Sequence, residues 1–259
     1  DALRHSTATQ RLPNLRKLVI GLRGWEEAFF TNLPPGLTSL SIYTHENSGN
    51  GSFGFIKWLE HSPSTLPEAL TSLVWIDFVF YVMGQSRYDL NFSQLRHPKL
   101  ASLTSLELPR QSMVMDKGIV AESIRFPPNL TRLYLETMPA PLLPCLPTTI
   151  TDLGVCMVTS PTGVPSEDNQ WPPFLKRLSV DNALPLPPTL THLTLCSGMT
   201  DAIPTIIADC NLVVLDLPEF KLAESLLRQV PASIRLLILN DVRLDGSSLP
   251  SDLKSLHSV

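Results

Sequence analysis

The chain has 259 residues, of which 43% are hydrophobic and 17% charged, and its formal net charge is −4. Such a chain can bury a core, which excludes wholesale disorder, and its mild acidity indicates neither nucleic acid nor an anionic membrane surface as a partner. No apolar run reaches the roughly 18 residues that a membrane-spanning helix needs, so we expect a soluble protein. The 24 prolines, against 12 glycines, are unusual for an α/β enzyme and direct attention to a repeat.

One phrase recurs along the whole chain, with the pattern apolar-Pro-x-x-Leu-x-x-Leu-x-apolar. Clear copies are LPPGLTSLSI from Leu33, FPPNLTRLYL from Phe126 and LPPTLTHLTL from Leu186. We expect each copy to form one short strand, anchored at the first Leu or Ile of its central motif. Successive anchors are separated by 15 to 33 residues. The eleven anchors are Leu15, Leu37, Leu70, Leu103, Leu130, Ile150, Leu175, Leu190, Leu212, Ile234 and Leu253.

The residues of the phrase support a stack of strands. Proline cannot donate to a strand ladder, and it stands just before the predicted strand, as Pro34 and Pro127 do. Since side chains alternate between the faces of a strand, pairs such as Leu133 and Leu135 point to the same side. One copy cannot bury its apolar edge alone, whereas stacked copies build a continuous core. Apolar spacing predicts short helices between strands, at 26–32, 55–61, 113–124 and 222–229.

These copies resemble the leucine-rich repeat, whose unit carries L-x-x-L-x-L over about 20–29 residues. The proline-led entry is similar to the Leu-Pro-x repeats of bacterial effectors and to amoebal FNIP-type repeats, although the spacing here is less regular. The resemblance implies an α/β solenoid formed by a single domain over 1–259. This solenoid would be a right-handed curved superhelix, with about eleven short parallel strands on its concave face. Short helices, 3₁₀ turns or loops would form its convex face.

Three motifs invite a chemical interpretation that the sequence does not favour. Residues 49–54 spell GxGxxG, but they do not follow directly from an apolar strand, as a dinucleotide-binding loop would. His192 and Cys196 share one strand face, yet Asp152 and Cys156 lie two strands away, about 10 Å, which is too far for one metal ion. No spacing demands a catalytic triad. We therefore expect no enzyme activity, cofactor or metal.

Function should lie on the exposed positions of the strands, which face the concave side. Arg and Tyr are enriched at binding hot spots, and the carboxylates around them favour a partner with basic groups. The alternative is a solvated face whose opposite charges neutralise each other across strands. A second candidate surface is an aromatic segment, which would more often fold back and cover the convex side of its own repeat than bind a partner. Its residues are Trp75, Phe78, Phe80, Tyr81, Tyr88 and Phe92. The candidate binding residues are Glu107, Arg132, Tyr134, Glu136, Asp152, Arg177, Asp181, His192 and Asp216.

The sequence thus predicts a non-catalytic module that binds a protein or peptide on its concave face. Two alternatives stay open: the substrate-recognition arm of a ubiquitin ligase or host-targeting effector, and a structural subunit of a larger assembly. Neither end carries a polar capping unit, so we expect the protein to continue, at least C-terminally, or an end to pack on another chain. Without cysteine-rich caps a cytoplasmic location is favoured, with secretion the alternative if a signal or caps were removed.

Overall fold

A computed structural model describes most of the predicted strand phrases. The described residues are 12–22, 33–46, 66–79, 89–90, 98–113, 125–159, 171–180, 185–195, 207, 210–217, 230–239 and 255–258. The chain divides into two compact units, Asp1–Glu136 and Thr137–Val259. The single domain over 1–259 that the sequence indicates stays a prediction.

The N-terminal unit holds parallel strands that follow one another in chain order. Strands β1, β2, β3 and β5 are neighbours in that order, β6 lies beside β5, and the short β4 pairs with the far end of β5. β6 begins in this unit and ends in the next. The strands are β1 (Lys17–Leu22), β2 (Ser39–Glu46), β3 (Ser72–Val79), β4 (Asp89–Leu90), β5 (Ser105–Met113) and β6 (Arg132–Pro139).

The C-terminal unit repeats this arrangement with shorter strands. Its neighbours, again parallel, follow the chain order. Except for the eight-residue β7, each strand has four residues. The strands are β7 (Asp152–Thr159), β8 (Arg177–Val180), β9 (His192–Leu195), β10 (Val214–Leu217), β11 (Leu236–Leu239) and β12 (Ser255–Ser258).

The strands begin at a constant distance from the predicted anchors. Two residues after each of the eleven anchors a strand starts, from Lys17 after Leu15 to Ser255 after Leu253. The connections show 3₁₀ helices at Pro98–Leu100 and Ala140–Cys145. The helix expected at 113–124 is wrong at its first residue, because Met113 ends β5. The rest of that segment and the other three predicted helices lie outside the described residues.

Three rows of apolar side chains form the core beneath the strands. From β2 to β11 the anchor and the second and third apolar residues of each phrase are at most 2% exposed. Trp75 occupies the third row at 1% exposure, so it belongs to the core and not to an aromatic binding surface. The side chain of Phe78 is outside the described part. Strands β8 to β11 alternate strictly between buried residues and exposed or part-exposed ones, which confirms the expected period of two.

In seven of the repeats a proline of the lead-in is the first residue of a tight turn into the strand. The anchor amide donates to the carbonyl of the proline three residues earlier, as in Leu37 to Pro34 and Leu130 to Pro127, at 3.1 and 3.2 Å. A proline carbonyl accepts as well as any other, and its missing N–H costs nothing at this position. The same turn recurs at Leu70, Ile150, Leu175, Leu190 and Ile234.

Threonines directly after the anchors form a hydrogen-bonded ladder that the sequence interpretation did not include. The carbonyl of Thr71 accepts the amides of Thr104 and Ser105, at 2.8 and 3.1 Å, and the Thr104 hydroxyl, at 3.2 Å. Thr38 and Thr131 make the equivalent hydroxyl bonds to Arg16 and Thr104, both at 3.0 Å. Each of these repeats is thereby held to the previous one just before the strand begins, which fixes the register of the neighbouring strands.

Candidate functional site

Eight of the nine candidate residues lie on described strands, at positions that alternate with the buried ones. We call this side of each unit's sheet the outer face. Glu107 is on β5, and β6 carries three candidates. Asp181 lies outside the described residues. From β5 to β11 the outer-face positions are Ser105, Glu107, Arg132, Tyr134, Glu136, Asp152, Gly154, Cys156, Arg177, Ser179, His192, Thr194, Val214, Asp216, Leu236 and Ile238.

An ion pair links β5 and β6 in the N-terminal unit. Nε of Arg132 is 3.3 Å from Oε1 of Glu107, and their side chains are 51% and 28% exposed. An exposed pair of this kind contributes about 0–1 kcal/mol to stability. Its main effect is therefore to orient the Arg132 side chain, about half of which stays exposed, beside Tyr134 on the same face.

A second ion pair links β7 and β8 in the C-terminal unit. Asp152 and Arg177 are direct register partners, with 3.7 Å between Oδ2 and Nη1 and with the Arg177 side chain 61% exposed. Both ion pairs match the expected neutralisation of charge across strands. Both also leave an arginine that is more exposed than its carboxylate partner.

His192 lies on the outer face of β9, where it is the register partner of Arg177 on β8. Burial lowers its pKa below the ordinary 6.5; the Arg177 charge lowers it further, and Asp152 acts in the opposite direction. Nδ1 lies 2.8 Å from the Thr191 hydroxyl, which is also 3.2 Å from the Lys176 carbonyl. The hydroxyl has one hydrogen, so both contacts are hydrogen bonds only when Nδ1–H donates to Thr191. That tautomer leaves Nε2 as an acceptor.

Asp216 on β10 differs from the other carboxylates. Its register partners are Thr194 on β9 and Ile238 on β11. Oδ1 is buried and has no hydrogen-bond partner among the described residues, and burial raises the pKa of the carboxyl above its ordinary 3.8. The sequence placed Asp216 among several similar acids. Its isolation could have been inferred from the alignment of phrases, which puts aliphatic residues in the neighbouring positions.

The remaining sequence motifs concern metal binding, cysteine residues and a glycine-rich segment. Among the described residues, no three His, Cys, Asp or Glu side chains are grouped to hold a metal. Three of the four cysteines, Cys145, Cys156 and Cys210, belong to the described residues, while Cys196 and the glycine motif at 49–54 lie outside them. None of the helices described is long and apolar enough to cross a membrane.

No protein-family model matches the chain, and no curated protein matches it.

Proposed function

We propose that the chain is a leucine-rich-repeat module that binds a protein or peptide on its outer face without catalysing a reaction. In this proposal the outer face is the concave side of a right-handed superhelix. The eleven anchored strands, their parallel order and the three buried rows support the repeat. Such repeats usually offer their strand surface as an extended binding area.

The observation that carries the binding proposal is the fixed orientation and the exposure of two arginine side chains on the outer face. Arg132 and Arg177 each sit on a strand whose neighbouring residues are locked in the core, and each is oriented by a carboxylate on the preceding strand. Preorganised side chains lose little entropy when a ligand binds, which favours affinity. With more than half of each side chain exposed, both arginines can contact a ligand without first breaking an internal pair.

A selection of random 12-residue peptides displayed on phage, with the immobilised full chain as target, tests the proposal. Selected peptides are then synthesised, and their Kd is measured for the wild type and for Arg132→Ala, Tyr134→Ala and Arg177→Ala. We expect at least one of these variants to weaken binding about tenfold or more, the effect of a hot-spot residue.

Arg125→Ala is the matched control. Arg125 is exposed and lies in the lead-in before β6, outside the strand, so its removal should leave Kd unchanged. Peptides that bind all outer-face variants as tightly as the wild type, or that lose affinity only with Arg125→Ala, would place binding elsewhere and refute the proposal.

A further inference from the structure

The surroundings of Asp216 on the outer face are aliphatic. Along β10 the preceding outer-face residue is Val214, and on β11 the register partners of Val214 and Asp216 are Leu236 and Ile238. All four side chains are part exposed. Adjacent parallel strands lie about 4.8 Å apart and residues two apart on one strand about 6.6 Å apart, so these four form one contiguous patch.

No described cation neutralises this carboxylate. The adjacent β9 contributes Thr194 in register and His192 one position earlier on the face, and burial and Arg177 hold the pKa of that imidazole below 6.5. Arg177 lies a further strand away and is paired with Asp152. Because the buried Oδ1 of Asp216 has no hydrogen-bond partner among the described residues, its lost hydration is not replaced there, and a ligand cation can replace it.

We propose that Asp216, together with Val214, Leu236 and Ile238, forms the subsite for a lysine side chain of the bound ligand. The four-carbon stem of lysine would lie on the three aliphatic side chains while its ammonium group donates to the carboxylate. Lysine fits better than arginine, because a compact point charge needs one acceptor group whereas the guanidinium fork favours a bidentate site. This inference rests on the proposed function and names the ligand chemistry at one point of the outer face.

The burial of Asp216 also affects the titration of its carboxyl. Burial raises the pKa of its carboxyl, so the ionised form is poorly stabilised in the protein as it stands. An ammonium group arriving there would stabilise that form, which makes binding favourable for a cationic side chain and unfavourable for a neutral one.

A lysine derivative tests the subsite directly. The full chain, labelled with ¹³C in Val, Leu and Ile methyl groups, is titrated by NMR with Nα-acetyl-lysine methylamide. We expect the methyl signals of Val214, Leu236 and Ile238 to shift, and the Kd to rise about tenfold or more in Asp216→Asn. The neutral Nε-acetylated derivative, tested on the wild type, should produce no shifts, which shows the need for charge without any mutation.

Glu68→Gln is the matched control for the change of charge, because Glu68 is an exposed acid in the turn before β3; it should leave the Kd unchanged. Equal shifts with the charged and neutral derivatives, unaltered binding in Asp216→Asn, or tighter binding of the arginine derivative would each overturn the lysine subsite.

The phage-selected peptides separate the two proposals. If peptides depend on Arg132 or Arg177 but bind Asp216→Asn unchanged, the outer face binds peptides and the lysine subsite is wrong. If the lysine derivative binds at Asp216 while no selected peptide depends on the outer face, the subsite stands and the proposed function is wrong. Peptides that carry lysine and weaken about tenfold in Asp216→Asn support both.

Discussion

Two adjacent leucines on β11 allow a direct test of the alternation that defines the fold. Leu237 is fully buried at 0% exposure, while Leu236 is part exposed on the outer face. Replacing Leu237 with alanine removes buried methyl groups and leaves a cavity, which costs about 3 kcal/mol. The same replacement at Leu236 should cost about 1 kcal/mol, because the space that it leaves is open to solvent.

The assay is urea unfolding of the full chain, followed by circular dichroism, with the two variants compared under identical conditions. The expected difference of about 2 kcal/mol is well above the error of such measurements. Because a shift of register by one residue would exchange the two faces, it would exchange the two results. Equal losses, or a larger loss for Leu236→Ala, would therefore refute the assignment of core and outer face in this unit.

Three further predictions concern electrostatics and the threonine ladder. In an NMR titration, Arg177→Gln should raise the pKa of His192 and Asp152→Asn should lower it, because the two charges act on it in opposite directions; shifts of the same sign would contradict the β7–β9 register. Asp216→Asn should stabilise the fold by about 1 kcal/mol near neutral pH. The pKa of Asp216 is higher in the folded protein than its ordinary 3.8, so the wild type loses stability as the pH rises from 3.8 through the folded pKa. The stability gained by Asp216→Asn should therefore vanish below pH 3.8, as measured by urea unfolding. Thr38→Val should cost about 0.5–1 kcal/mol, since its hydroxyl bond to the Arg16 carbonyl is lost; no loss would show that the two backbone bonds to that carbonyl suffice.

The stability prediction for Asp216 also bears on its function. An unpaired, partly buried acid weakens the fold, yet in the proposed subsite the same group attracts a lysine. Asp216→Asn should therefore produce a more stable protein that binds the lysine derivative less well. If Asp216→Asn is more stable but binds the lysine derivative as tightly as the wild type, the stability cost of Asp216 is unrelated to ligand binding.

Much of the fold could be predicted from the sequence because its cause is local. An apolar residue at every second position requires one buried face, and a proline before the anchor requires a turn there, as Pro34 and Leu37 illustrate. The lengths of the strands could not be predicted as well from the sequence. The sequence indicates short strands, whereas β5 has nine residues and β2 eight, because pairing with neighbouring strands extends them beyond the phrase.

The sequence by itself determined which residues lie in the core and which lie on the outer face, since both follow from alternation within a few residues. Only the tertiary structure decided which outer-face groups meet. Within each unit the ladder aligns neighbouring strands across separations as different as 15 and 33 residues. That alignment brings Arg177 next to Asp152 and leaves Asp216 between Thr194 and Ile238. Electrostatic contacts depend on distance in space, and here the stacking of strands sets that distance.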